Sequence, residues 1–141
     1  MKALYLLIFA CILLCLNSCL KDSTSPYQSG SLVGKWNIVS DSTYVGVGFN
    51  NHPVNYAGKP GDYFSFTSSG IIYTKEGDVL DTLSYSLSAD TGIVISSFGA
   101  ILNGVPPVSK LKNFTDHSVI IVSPVILTPG GVFSRKVYLS R

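Results

Sequence analysis

Leu83, Tyr85 and Leu87 alternate with Thr82, Ser84, Ser86 and Ser88, a period of two that puts one face of a strand on a core and the other in water. Comparable runs occur at residues 33–45, 63–67, 71–75, 93–98, 108–114, 118–123 and 132–141. No helical period lasts longer than one turn. Between the runs stand Ser68-Ser69-Gly70, Glu76-Gly77-Asp78, Ala89-Asp90-Thr91-Gly92, Asn103-Gly104, Thr115-Asp116 and Thr128-Pro129-Gly130-Gly131. Glycine accepts positive φ without steric cost and Asp or Asn bonds its own backbone, so each break has a turn mechanism. About eight short strands with tight connections predict an all-β fold, an antiparallel up-and-down meander closed as a small barrel, with a β-sandwich as the alternative.

Residues 46–61 interrupt this rhythm. They form a 16-residue stretch without alternation, holding Phe49, Val54 and Tyr56 among four glycines and two prolines. Connections of that length are usually functional or disordered. The aromatics favour an ordered flap, because disordered segments are poor in them.

The N-terminus obeys a different pattern. Met1-Lys2 is followed by fourteen apolar residues, 3–16, and by the short exit Asn17-Ser18-Cys19. This is the layout of a secretory signal, too short to span a bilayer as a helix. The alternative is an ordinary signal cut near Ser18 with incidental cysteines. Residues 1–18 read as a signal peptide, 19–31 as a flexible polar tether and 32–141 as the folded domain. Removing the signal takes away fifteen apolar residues, lowering the apolar content from 46% to about 41%, and one of the ten basic residues set against eight acidic ones. The mature domain is then close to neutral and lacks the basic cluster that nucleic-acid binding requires.

Cys11 and Cys15 lie inside the signal, so Cys19 would be the only mature cysteine. That excludes an internal disulfide and any cysteine-based metal site or thiol nucleophile in the domain. No cofactor is expected. His52 and His117 each lack a partner at metal-ligand spacing. Asp116-His117 has no G-x-S-x-G elbow to complete a triad. Glu76, Asp78 and Asp81 lack the order of a calcium loop. The glycines at 46 and 48 lack the third glycine and the helix of a phosphate-binding fingerprint. The expectation is a protein without catalytic activity.

Leu16-Asn17-Ser18-Cys19 resembles the lipobox of bacterial lipoproteins. The resemblance implies that Cys19 is the lipid attachment site, bearing a diacylglycerol and an N-acyl chain such as palmitate. It also implies a lipid-anchored outer-membrane protein, periplasmic or surface-facing. Lys21-Asp22 is similar to a short charged export signal of the Bacteroides group, and reads equally well as solvated linker. The run from Leu32 through Gly34-Lys35-Trp36 to Ser40 resembles the G-x-W opening of lipocalins and of the lipocalin-like domains of bacterial lipoproteins. Leu111-Lys112-Asn113-Phe114-Thr115-Asp116, followed by Val119-Ile120-Ile121-Val122, is similar to their penultimate hairpin, and Tyr138-Leu139-Ser140-Arg141 to their last strand.

That resemblance implies a barrel whose narrow end is closed by Gly34 and Trp36, with Arg141, or second to it Arg135, lying across the tryptophan ring. It implies a cup for a small apolar ligand at the other end. Candidate lining residues are Tyr44, Phe64, Phe66, Tyr73 and Tyr85, with Phe49 and Tyr56 from the long loop, and each of them also fits plain core. The functional expectation is a membrane-tethered binder of a small apolar molecule or a non-catalytic envelope component. The alternative is an accessory module that docks a protein partner at the cell surface.

Overall fold

A computed structural model describes residues 31–46, 51–88, 91–99, 104–128 and 131–141. The signal segment, Cys19, most of the tether and Phe49 lie outside them.

The described chain is all-β, with ten strands: β1 (Gly34–Val45), β2 (His52–Ala57), β3 (Tyr63–Phe66), β4 (Ile71–Glu76), β5 (Val79–Ser88), β6 (Gly92–Ile95), β7 (Val108–Lys112), β8 (Ser118–Val122), β9 (Ile126–Thr128) and β10 (Gly131–Ser140). Every pairing is antiparallel. Neighbours follow the chain from β3 to β8, and β1 closes on β10. The result is an eight-position barrel and not a sandwich. Closure removes the exposed edges that an open meander would leave.

Two positions of the barrel are shared. β3 pairs with the first residues of β1, Gly34 to Asn37, and β2 with its later ones, Ser40 to Val45. In the same way β8 pairs with β10 from Lys136 to Ser140, and β9 with β10 from Gly131 to Phe133. The long β1–β10 seam therefore extends above the barrel as a four-stranded ribbon, β2-β1-β10-β9. The stretch 46–61 is not a loop flap: its middle, His52–Ala57, returns along β1 as β2.

The change from β3 to β2 needs an irregularity in β1, and the register shifts between Ile38 and Ser40. The extra residue, Val39, is left 54% exposed. A bulge also reverses which side chains face inward beyond it. Before it Trp36 and Ile38 are buried; after it Asp41 is buried and Tyr44 faces out. Gly58 packs on this point, where a Cβ would overlap the Ile38 carbonyl, and its N–H donates to the Val39 carbonyl at 3.0 Å.

Inward residues fill the lower barrel: Trp36 and Ile38 from β1, Phe64 and Phe66 from β3, Ile72, Leu83, Ile93 and Ile95 from β4 to β6, Val119 and Ile121 from β8, Val137 and Leu139 from β10. Trp36 is fully buried, its Nε1–H donating to the Leu32 carbonyl at 2.8 Å. The Arg141 guanidinium lies 4.1 Å from its ring centroid. Arg141 is held there by the carbonyls of Ser31, Val33 and Asp116. Gly34 makes room, since a Cβ there would stand 3.3 Å from Arg141 Nη1 at a φ of +127°. Such a cation–π contact contributes about 0.5–1 kcal/mol at an exposed site; the burial of the indole contributes far more.

Trp36→Ala should therefore cost about 3–5 kcal/mol, read from the midpoint of urea unfolding. As the one tryptophan, Trp36 should report the folded barrel by blue-shifted emission that resists acrylamide quenching.

Candidate functional site

The barrel's upper half is where a lipocalin-like cup would open, and a charged cluster fills it. Arg135 on β10 reaches inward, its Nε and Nη2 donating to Asp41 Oδ2 on β1 at 2.8 and 2.5 Å. Nη2 also donates to Glu76 Oε1 at the end of β4, at 2.8 Å. The guanidinium lies 4.6 Å from the centroid of Phe98 and 6.0 Å from that of Phe64, so the cluster rests on the aromatic floor. Ser123 ties the strand backbone behind it: Arg135 N–H donates to Ser123 Oγ at 2.6 Å and Ser123 N–H to the Arg135 carbonyl at 2.8 Å.

Asp41 is 4% exposed, and one guanidinium serves two carboxylates. Burial pushes the Glu76 carboxyl up; Arg135 opposes that shift, and the neighbouring Asp41 adds to it. A buried cluster of this kind is costly to break from one side, because the remaining charge has no solvent to return to.

A second polar knot joins the β2–β3 connection to the β4–β5 turn. The Asp62 carboxylate accepts from the Tyr56 hydroxyl at 2.5 Å, from Lys59 N–H at 2.7 Å and from Gly77 N–H at 2.9 Å. The Tyr56 hydroxyl and these N–H groups hold the Asp62 carboxyl below its ordinary value. In return the hydrogen bond to Asp62 pushes Tyr56 up to about 12.

The residues expected to line a cup do not converge on one. Phe64 and Phe66 are core, 0% and 2% exposed. Phe64 packs near Phe98 at 6.4 Å and Phe66 edge-on to Tyr85 at 5.3 Å. Tyr85 is half-buried, and its hydroxyl donates to the Thr67 carbonyl at 2.7 Å. Tyr73 is 49% exposed on the outer face between Ile72 and Thr74, which are buried. Tyr44 also faces out because the bulge reversed its parity, and its hydroxyl donates to the Asn51 carbonyl at 3.3 Å. Tyr56 is committed to Asp62, and Phe49 lies outside the described residues. Gly34, Trp36 and Arg141 meet at the narrow end, whereas Arg135 serves the charged cluster instead of the tryptophan. His52 and His117 are exposed on β2 and beside the 115–118 turn.

The sequence reading missed Asp41 as a partner of Arg135. The available signal was an acid inside β1 and an arginine among apolar residues of β10. Among the described residues, clefts of about 350, 470 and 410 Å³ lie against Tyr85 and Val94, between Tyr63 and Leu80, and between Val105 and Leu127. Among the described residues no group of three or more His, Cys, Asp or Glu could hold a metal ion. No protein family, curated protein or solved structure matches the chain.

Arg135→Met alone should destabilise the domain by about 3–5 kcal/mol, and adding Asp41→Asn and Glu76→Gln should recover a large part of that loss. The pH dependence carries opposite signs at the two knots. Glu76 is raised in the folded state, so its ionised form penalises the fold at neutral pH. Lowering the pH towards the ordinary glutamate range near about 4.3 should move stability in favour of the parent protein relative to Glu76→Gln. Asp62 is lowered, so its contribution is present above its unfolded value of about 3.9 and disappears as pH falls through the depressed one. Asp62→Asn should be destabilised at neutral pH and should lose less stability on acidification than the parent. Urea titrations at several pH values read both effects.

Proposed function

We propose that the chain is a non-catalytic envelope lipoprotein, anchored in the bacterial outer membrane through acyl chains on Cys19, whose barrel serves as an interaction module for another protein. The observation that carries this reading is the filled interior. The core side chains are at most 7% exposed, and the mouth above them is occupied by Arg135, Asp41 and Glu76, bonded to one another. An eight-stranded barrel has room either for its own side chains or for one small ligand. Here the side chains take the space.

The anchor half of the proposal rests on residues 1–19, whose order of basic, apolar and small polar residues precedes a cysteine. Two or more acyl chains hold a protein stably on a bilayer, where one alone is marginal. The polar stretch 20–31 separates that attachment from the first core residue, Leu32. Attachment and folding are therefore separable. The buried carboxylates of Asp41 and Asp62 are tied to Arg135, to the Tyr56 hydroxyl and to backbone donors, which favours a non-enzymatic role.

Cys19→Ala should abolish lipid labelling and move the protein from the membrane pellet to the soluble fraction with unchanged urea stability; a variant that still pellets defeats the anchor. Saturable binding of an apolar fluorescent probe that quenches Trp36 would defeat the filled-barrel reading. The expected result is no saturable change in its emission.

A further inference from the structure

We propose that the outer face of β7, β8 and β10 is a second membrane contact: Lys110, Lys112 and Lys136, set around Ile120, Val122 and Tyr138, lay the barrel on the phosphate-bearing headgroups of an anionic bilayer. The proposal rests on the anchor reading and adds an orientation to it.

The face follows from strand register. Lys110 and Lys112 point outward, because Ser109 and Leu111, which alternate with them, are buried. Lys110 and Lys136 flank Val122 as its partners on β7 and β10, and two residues along Lys112 and Tyr138 flank Ile120 in the same way. Residues two apart share a face of the sheet, so the six side chains form two rows of three on one surface. Ile120, Val122 and Tyr138 are half-buried there, and the three lysines are exposed. Lys136 Nζ stands 4.7 Å from the centroid of the Tyr138 ring, a contact that leaves its charge at the surface.

No carboxylate within the face offsets these charges. β7, β8 and β10 contain no Asp or Glu, and the one acid of the adjoining β1, Asp41, is bound to Arg135 inside the barrel. Among the described residues the ion pairs are those of Arg135. Asp78 and Asp81 belong to the β4–β5 hairpin, and β4 lies across the barrel from β8. Asp116 sits in the turn joining β7 to β8, at the foot of the face, and Asp22 and Asp90 lie outside the described residues. A cationic surface with an apolar centre is complementary to anionic headgroups, each lysine adding a small attraction that salt screens.

The place where the tether joins favours the bilayer over an acidic protein. The Ser31 carbonyl accepts from Arg141 Nη2 at 3.1 Å, immediately beyond the end of β10. The chain leading back to Cys19 therefore starts at the foot of a strand that carries the face. Lys136 stands about 14 Å along β10 from Ser140, while twelve tether residues span at most about 40 Å. The barrel can lie on its side without straining the attachment, and the tether keeps the lysines near headgroups at an effective concentration that a diffusing partner lacks. None of the three clefts is lined by these six residues, so the face is smooth and convex, suited to a fluid layer of headgroups and without a seat for a fitted segment. Without acyl chains such a face holds only weakly, and Cys19→Ala still leaves the membrane pellet at cellular salt.

Two arms keep the face and the anchor apart. In the first, Cys19→Ala is titrated at low salt with excess phosphatidylglycerol or phosphatidylcholine vesicles. It should bind only the former, and adding Lys110→Gln, Lys112→Gln and Lys136→Gln together should weaken that binding at least about tenfold without moving the urea midpoint. In the second, the lipidated protein is reconstituted in the same two kinds of vesicle and its lysines are acetylated. Lys110, Lys112 and Lys136 should react several-fold more slowly on phosphatidylglycerol, Lys75 on β4 should react alike on both, and high salt should remove the difference. The proposal is overturned by equal binding of Cys19→Ala to the two vesicles, by undiminished binding of the glutamine variant, by equal slowing at Lys75, or by lysine-dependent binding of polyglutamate without binding to vesicles. If Cys19 carries no lipid the anchor reading fails, and the first arm still decides the face.

Discussion

The bulge at Val39 is the constraint from which the upper barrel follows. A regular β1 would carry the Trp36–Ile38 face to Ser40 and Ser42, and Asp41 would point into water. One extra residue turns the strand over. The lower part of β1 then plugs the narrow end with Trp36 while its upper part delivers a carboxylate inside. Gly58 is fitted to the same point, because the Ile38 carbonyl leaves no room for a Cβ. The change from β3 to β2 along one edge of β1, the inward Asp41 and the outward Tyr44 share this cause.

Once Asp41 faces inward, a cation must meet it. Arg135 does so from the neighbouring strand, in register two pairs away on the same face: Thr43 is the residue opposite Arg135 on β1, and Val137 the one opposite Asp41. Glu76 then shares the same guanidinium. The arrangement exchanges cup volume for a cross-brace linking β1, β10 and β4, with Phe98 beneath it. Such a brace is weak evidence for net stability, since an apolar filling of equal volume can do as well. Its clearer effect is to leave little space at the mouth for a guest.

Much of this was legible in the chain. The alternation of Leu83, Tyr85 and Leu87 with serines and threonines locates β5, and similar runs locate the other barrel strands to within a few residues. β2 was illegible because His52, Pro53, Val54 and Asn55 are all exposed; a strand belonging to a ribbon with no core on either face has no period to show. β9 is three residues long, shorter than any pattern can register. The charged cluster was hidden for another reason. A bulge inserts one residue with no compositional mark, so counting by twos from Trp36 places Tyr44 inside and Asp41 outside, the reverse of what is found. The arginine on β10 stands out among apolar residues of the sequence, but its partner is visible only in three dimensions.

The seam between β1 and β10 has a further consequence for the order of events in folding. Asn37 pairs with Ser140, so the ladder that closes the barrel joins residues separated by nearly the whole domain. Contacts of such high sequence separation form slowly, because loop closure must precede any reward. Until β10 is in place, the chain can be at most an open, curling sheet in which β1 and β8 each have one unsatisfied side. Barrel closure is thus a late step, set by the arrival of β10 between β1 and β8.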